Sequence, residues 1–235
     1  MTAPSAPIAV AIDAGDIETA AGWASAVAPH VSTVKVGLEL YSRYGPEVVG
    51  AVRGADDVGI FLDLKLHDIP ATVAGAARSV AGLRPSILTV HASGGADMVR
   101  AAVEAAPDTR IAAVTVLTSM SETDLEQVGL LGPARDAVRR LAVLAVGAGA
   151  RALVCSPQEV ALLRAEVGPD ITLITPGVRP AGVDKGDQTR VATPEEAIGA
   201  GADLLVIGRP ITRAADPGAA AASIAAAVRR AGARV

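Results

Sequence analysis

The amino-acid sequence predicts an α/β protein, a single (β/α)8 TIM barrel domain that spans residues 1–235. Three observations support this prediction: eight short apolar runs, segments of helical composition between them, and no Pro/Gly/Ser-rich linker. Strands that alternate with helices pair in parallel, because each crossover returns the chain to the same edge of the sheet. The alternative is an open doubly wound sheet, but the first strand continues into AIDAGD and lacks a G-x-G-x-x-G turn.

The predicted strands are rich in Val, Ile and Leu, and turn residues bound them, as is typical of buried strands. In chain order they are IAVAID, TVKVGL, GIFLDLK, ILTVHA, IAAVTVLT, ALVCS, ITLITPGV and LLVIGR. The segments of helical composition are ETAAGWASAVA, PATVAGAARSVAGL, ADMVRAAVEAA, PARDAVRRLAVLAVGAG, PQEVALLRAEVG, TPEEAIGAGA and PGAAAASIAAAVRRA.

The composition argues against nucleic-acid and membrane partners. The formal net charge is -4 and aromatic residues make up 2% of the chain, so neither a basic footprint nor a stacking surface for bases is expected. The N-terminus lacks the basic start of a secretory signal, and no stretch is apolar enough to span a bilayer. We therefore expect a soluble, cytoplasmic protein.

Several side chains at the strand ends are interpreted as structural. The single cysteine, Cys155, is expected to be a small buried thiol. His91, which ends the fourth strand, and His67 are expected to be hydrogen-bonded or loop side chains. The His, Cys, Asp and Glu residues show no convincing metal-ligand spacing, so we expect no metal site.

Charged residues gather at the carboxyl ends of the predicted strands, where barrels of this type place their active sites. Asp13 ends the first strand, Lys35 lies late in the second, and Asp63 and Lys65 end the third. Thr118 follows the fifth strand. These side chains are therefore expected at one mouth of the barrel.

The segment FLDLKLHDIP carries the densest cluster of charge. Asp63 and Lys65 are two residues apart and project from the same face of a strand, while Asp68 follows the strand, before Pro70. Alone, the D-x-K pattern favours a structural ion pair. The second carboxylate favours a functional cluster, in which Lys65 is a cation and proton donor.

These residues belong to a pattern that is similar to a known family. DLKLHDIPAT resembles the D-x-K-x-x-D-I-P-x-T signature of the orotidine 5'-monophosphate decarboxylase family, and AIDA, VKVG, VTVLTSM, TPGVRP, GDQ and VIGRP extend the resemblance along nearly the whole chain. The resemblance implies a decarboxylation without metal or cofactor that converts orotidine 5'-monophosphate to UMP and CO2.

The resemblance also implies roles for these residues. Lys65 would protonate C6 of the pyrimidine, Asp63 would hold Lys65, and Asp68 would complete the charge network from the neighbouring subunit of a homodimer. Asp13 and Lys35 would lie around the ribose, Thr72 would make a partner-subunit contact, and Thr118 a contact near the base. Ser121 is a second candidate for the base contact.

The phosphate group would bind between the loops that follow strands seven and eight, as is common in barrels. Those loops supply Arg179, Gln188, Gly208 and Arg209; Arg209 resembles the family's phosphate arginine and Gln188 its lid glutamine. The loop from about Gly177 to Arg190 is polar and contains three glycines. We expect it to order over the bound phosphate.

Two other functions fit parts of the pattern. A hexulose-phosphate synthase or ketogulonate-phosphate decarboxylase shares D-x-K-x-x-D but uses Mg2+ to stabilise an enediolate. A non-catalytic phosphosugar or nucleotide sensor could retain Arg209 and the loop while losing the charged residues. Ile69, Pro70, Thr72 and the TPGVRP and GDQ segments resemble the orotidylate enzyme and not the first alternative, and the intact charged residues argue against the second.

Overall fold

The computed structural model describes residues 5–54, 58–180 and 192–233. Eight parallel strands pair in sequence order, and β8 closes the sheet against β1. The strands are β1 (Ala6–Ala11), β2 (Val31–Gly37), β3 (Gly59–Leu66), β4 (Ile87–His91), β5 (Arg110–Val114), β6 (Ala152–Val154), β7 (Thr172–Thr175) and β8 (Leu204–Ile207). The predicted (β/α)8 barrel is confirmed.

Helices surround the barrel and connect successive strands. They are α1 (Ile17–Val27), α2 (Leu38–Tyr44), α3 (Glu47–Arg53), α4 (Pro70–Ala81), α5 (Ala96–Ala105), α6 (Glu122–Gln127), α7 (Ala134–Gly147), α8 (Val160–Val167), α9 (Pro194–Gly199), α10 (Arg209–Thr212) and α11 (Pro217–Gly232). No helix in these described ranges is long and apolar enough to cross a membrane.

The two helices that follow β2 were not predicted from the sequence. Helices α2 and α3 are seven residues each, and the Gly45–Pro46 pair separates them. Gly45 adopts a φ of 58°, which glycine tolerates far better than other residues, and Pro46 cannot continue the preceding helix. The break leaves two helices that are too short to show a clear helical repeat.

Two apolar clusters fill the molecule. The larger lies between the strands and the helices, and includes Ile60 and Leu62 of β3. The smaller fills the barrel and contains Phe61, with Ile87, Ile174 and others from neighbouring strands. Because side chains alternate along a strand, the face of β3 that carries Phe61 inside the barrel also carries Asp63 at the next inward position.

Candidate active site

Four charged side chains form a chain of alternating sign at the carboxyl mouth of the barrel. Lys65 Nζ lies 2.8 Å from Asp63 Oδ1, and Lys35 Nζ lies 3.4 Å from Asp63 Oδ2. Lys35 Nζ also lies 3.7 Å from Asp13 Oδ1. The predicted contact between Asp63 and Lys65 is confirmed, and Lys35 joins it to Asp13 within one network.

Asp63 is the centre of this network. Its side chain is 15% exposed, and burial raises the pKa of a carboxyl group. The charges of Lys35 and Lys65, with hydrogen bonds from Lys65 and Thr89, outweigh burial, so the pKa of Asp63 lies below its ordinary value of 3.8. Asp63 is therefore an anion at neutral pH that fixes two ammonium groups.

Two features of the site were not predicted from the sequence. Lys65 has a φ of 49°, an arrangement that costs about 1–2 kcal/mol for a residue with a side chain. Thr89 of β4 is fully buried, and its hydroxyl donates to Asp63 Oδ1 at 3.0 Å. A positive φ at a lysine cannot be recognised from the sequence. Thr89 lies within the apolar run ILTVHA and therefore resembles a packing residue.

Gly37 provides the space in which Asp13 and Lys35 meet. A Cβ atom at this position would lie 3.0 Å from Asp13 Oδ1 and 3.0 Å from Lys35 Nζ. Gly37 ends β2 and pairs in register with Asp63 on β3. A side chain here would displace the two charged groups, so the site favours glycine at this position.

Asp68 and Thr72 lie apart from the network. Both are exposed, and Asp68 Oδ1 accepts a hydrogen bond from the backbone N–H of Ile69 at 2.6 Å. Among the ion pairs of the described residues, none joins Asp68 to Lys65. Within one chain Asp68 therefore does not flank Lys65, and its expected contribution from a neighbouring subunit stays a prediction.

Two cavities open at the same mouth. One, of about 200 Å³, is lined by Asp63, Lys65 and Thr118, together with Phe61, Cys155 and other apolar groups. The second, of about 430 Å³, is lined by Asp13, Arg179, Gly208, Arg209 and Trp23, among others. Pro176 and Val206 line both cavities, so the two adjoin and together form an elongated site with a lysine at one end and arginines at the other.

The remaining candidate site residues differ in their position relative to the two cavities. Gln188 and the loop residues 181–190 lie outside the described residues. Ser121 is the N-cap of α6, where its hydroxyl pairs with Asp124, and it does not line either cavity. Cys155 is 1% exposed, as expected for a structural thiol, although it borders the cavity that contains Lys65.

His91 and His67 form a ring pair beside the network, with centroids 5.3 Å apart. His91 is half-buried at the end of β4. Burial lowers the pKa of His91 below 6.5, and the nearby charges of His67 and Lys65 lower it further. The lowered pKa favours the neutral imidazole of His91 at neutral pH.

The fold and the site define a (β/α)8-barrel enzyme in which an ion-paired lysine and an arginine-lined cavity meet at the carboxyl ends of the strands. Residues 6–224 match the model of the Orotidine 5'-phosphate decarboxylase / HUMPS family. The chain belongs to this family.

Individual relatives agree with this assignment. An orotidine 5'-phosphate decarboxylase of Thermobifida fusca (strain YX) is 79% identical over 229 residues, which cover 97% of this chain and 98% of the relative. The protein of the same name from Frankia casuarinae is 58% identical over 244 residues, 97% of this chain and 89% of the relative. The crystal structure of orotidine 5'-phosphate decarboxylase from Lactobacillus acidophilus superposes with a TM-score of 0.82 at 34% identity, covering 97% of this chain and 99% of that chain.

Proposed function

We propose that this chain is an orotidine 5'-phosphate decarboxylase, which converts orotidine 5'-monophosphate to UMP and CO2 without a metal or cofactor. The observation that carries the proposal is the 2.8 Å contact between Lys65 and Asp63, at a cavity that adjoins an arginine-lined one. A pyrimidine nucleotide has a planar base at one end and a phosphate at the other, which matches this arrangement.

Lys65 carries the chemistry in this proposal. The bond between C6 and the carboxylate carbon breaks, CO2 leaves, and the electron pair stays on C6. The ammonium of Lys65 stabilises that developing charge and then transfers a proton to C6, after which the amine regains a proton from solvent. Asp63 holds Lys65 in place, and Lys35 holds Asp63 at its other oxygen.

The arginine end of the site is proposed to bind the phosphate. Arg179 and Arg209 line the cavity of about 430 Å³ with Gly208, and a guanidinium group can pair with two phosphate oxygens at once. Asp13 lines the same cavity as the arginines, and its carboxylate can accept hydrogen bonds from ribose hydroxyls while it pairs with Lys35. Thr118, beside Lys65, is proposed to contact the base.

Turnover of orotidine 5'-monophosphate by the purified protein tests the proposal. We expect the substrate absorbance to fall in buffer that contains EDTA and no added metal. Lys65→Ala is expected to bind UMP and to lose activity by at least about a thousandfold, because it removes both the cation and the proton donor. A robustly active Lys65→Ala would refute the mechanism, and activity that disappears in EDTA and returns with Mg2+ would indicate the hexulose-phosphate synthase or ketogulonate-phosphate decarboxylase reaction.

We further propose that the active form is a homodimer in which Asp68 and Thr72 reach the partner's site. Both residues are exposed, and Ile69 between them is 65% exposed. A second copy of the chain would cover this apolar side chain and bring a second carboxylate to Lys65.

Mixed dimers provide a direct test. Lys65→Ala and Asp68→Asn are each expected to be nearly inactive alone, because every site in each protein lacks one required group. After the two are unfolded together and refolded in equal amounts, mixed dimers contain one intact site, and about a quarter of the parent activity should return. If activity does not return although the subunits exchange, Asp68 acts within its own chain or not at all.

A further inference from the structure

The end of β3 departs from regular strand pairing directly opposite one residue of β4. Leu62 pairs with Leu88, and Leu66 pairs with Val90, so β3 advances four residues while β4 advances two. Thr89 alone faces the extra length of β3, which contains Asp63 and Lys65. A strand that bulges in this way leaves backbone groups without their ladder partners.

The hydroxyl of Thr89 takes the place of the missing ladder partner. The backbone N–H of Lys65 donates to Thr89 Oγ1 at 2.9 Å, and Thr89 Oγ1 donates to Asp63 Oδ1 at 3.0 Å. The directions are fixed, because an amide N–H can only donate and a carboxylate can only accept. The same Asp63 oxygen accepts from Lys65 Nζ at 2.8 Å. Thr89 therefore completes a ring of hydrogen bonds that includes both the backbone N–H and the side-chain ammonium of Lys65.

We propose that Thr89 is a positioning residue for the decarboxylation: its buried hydroxyl holds the Lys65 backbone in its left-handed conformation and fixes the Asp63 oxygen that aims the Lys65 ammonium. This inference rests on the proposed function of Lys65. Thr89 is completely buried beneath the network and does not line either cavity, so it acts through Lys65 and Asp63 and not on the substrate.

The other contacts of the network do not supply this restraint. Lys35 pairs with the opposite oxygen of Asp63, and this ion pair does not involve the backbone of Lys65. A residue with a positive φ needs compensating contacts, since it would otherwise relax to the extended conformation. The hydrogen bond from the Lys65 N–H is such a contact.

Three variants test the proposal. Thr89→Val has nearly the same shape and no hydroxyl, whereas Thr89→Ser keeps the hydroxyl. Thr175→Val is the matched control, because Thr175 is also a fully buried strand threonine and its hydroxyl has no hydrogen-bond partner among the described residues. Each protein is assayed for kcat and KM with orotidine 5'-monophosphate, and the exchange of the Lys65 backbone amide is followed by NMR.

We expect Thr89→Val to lower kcat by up to about 100-fold with KM little changed, because small misplacement of a reacting group costs rate more than binding. The Lys65 amide should exchange faster in this variant. Thr89→Ser should restore most of kcat, and Thr175→Val should resemble the parent. The amide measurement does not depend on turnover. If the parent protein showed no activity, the proposed function would be refuted, but the amide exchange would still test whether Thr89 restrains the backbone of Lys65.

The proposal is overturned if Thr89→Val keeps the parent kcat, if Thr89→Ser loses as much as Thr89→Val, or if the loss appears mainly in KM. If Thr89→Val does not fold, Thr89→Cys provides the second comparison, since a thiol of similar size forms only weak hydrogen bonds. Serine should then retain the parent kcat while cysteine loses part of it. Equal kcat values for the two variants would contradict the proposal.

Discussion

Lys35 and Lys65 approach the two oxygens of Asp63 from opposite sides, at 3.4 and 2.8 Å, so one carboxylate fixes both ammonium groups. The three side chains are 9%, 27% and 15% exposed for Lys35, Lys65 and Asp63. Ions this far removed from water must be paired, and loss of the shared partner leaves Lys65 without a counter-ion and Lys35 with Asp13 alone. The site and the stability of the barrel mouth therefore depend on the same carboxylate.

Replacement of this carboxylate should reduce stability in a pH-dependent manner. We expect Asp63→Asn to lower the free energy of unfolding by about 3 kcal/mol at neutral pH, because it leaves two ammonium groups with a neutral partner. The folded pKa of Asp63 is lowered, so its contribution is complete above the unfolded value of 3.8 and is lost as pH falls below it. The difference between variant and parent should therefore shrink in acid, as measured by denaturant unfolding.

Asp97→Asn is the control for that measurement. Asp97 pairs with Arg100 on α5, but its side chain is 83% exposed, and such a pair contributes about 0.5 kcal/mol or less. A comparable loss in both variants would show that the effect is unrelated to burial of the Asp63 network.

Gly37→Ala should affect activity more than stability. The new methyl group would lie 3.0 Å from both Asp13 Oδ1 and Lys35 Nζ, and these side-chain ends can move away at little cost to the fold. Their displacement should lower kcat/KM by roughly 10-fold, because the groups around the substrate lose their alignment. Gly22→Ala in α1 is the control, since nothing lies within 4 Å of its added Cβ. Unchanged kcat/KM in Gly37→Ala would show that the Asp13–Lys35 pair does not need this spacing.

His91 should make the protein less stable as the solution becomes mildly acidic. Its folded pKa is below 6.5, so the unfolded chain takes up a proton first, and stability falls as pH decreases from 6.5 towards the folded value. We expect His91→Gln to flatten the dependence of unfolding free energy on pH between about pH 7.5 and about pH 5.5. His30→Gln, at the amino end of β2, is the control. If the unfolding free energy of His91→Gln depends on pH as steeply as that of the parent, His91 is not the cause of that dependence.

Arg209→Ala should remove the advantage of a phosphorylated substrate. We expect kcat/KM for orotidine 5'-monophosphate to fall by about 100-fold, because a desolvated pairing with the phosphate is lost. The much slower reaction of orotidine, which has no phosphate, should be unchanged by the substitution. Arg110→Ala, at the amino end of β5, should leave both reactions unchanged, and an equal loss with the two substrates in Arg209→Ala would place Arg209 away from the phosphate.

Much of this site could be predicted because it depends on local rules. Alternation along β3 places Asp63 on the same face as Phe61, and closure of the barrel brings Asp13, Lys35 and Lys65 to one mouth. The pairing of Lys35 with Asp63 was not predicted, because it depends on the register between β2 and β3, which places Gly37 opposite Asp63. Register between separate strands has no local signature in a single sequence.

The details that were missed arise where the strand departs from regularity. The unequal advance of β3 and β4 and the left-handed Lys65 give Thr89 its two polar contacts, and neither feature follows from composition or periodicity. The exposed position of Asp68 could not be predicted for a different reason. Three neighbouring charges in sequence suggest one cluster, whereas the chain direction after β3 separates the third charge from the other two.

Trp23 is the only tryptophan in the sequence, and it borders the arginine-lined cavity. Its fluorescence therefore originates from a single known place in the unmodified protein. It can report ligand entry in stopped-flow experiments without any attached label. Binding at the arginine end can in this way be timed separately from the proposed loss of CO2 at the lysine end.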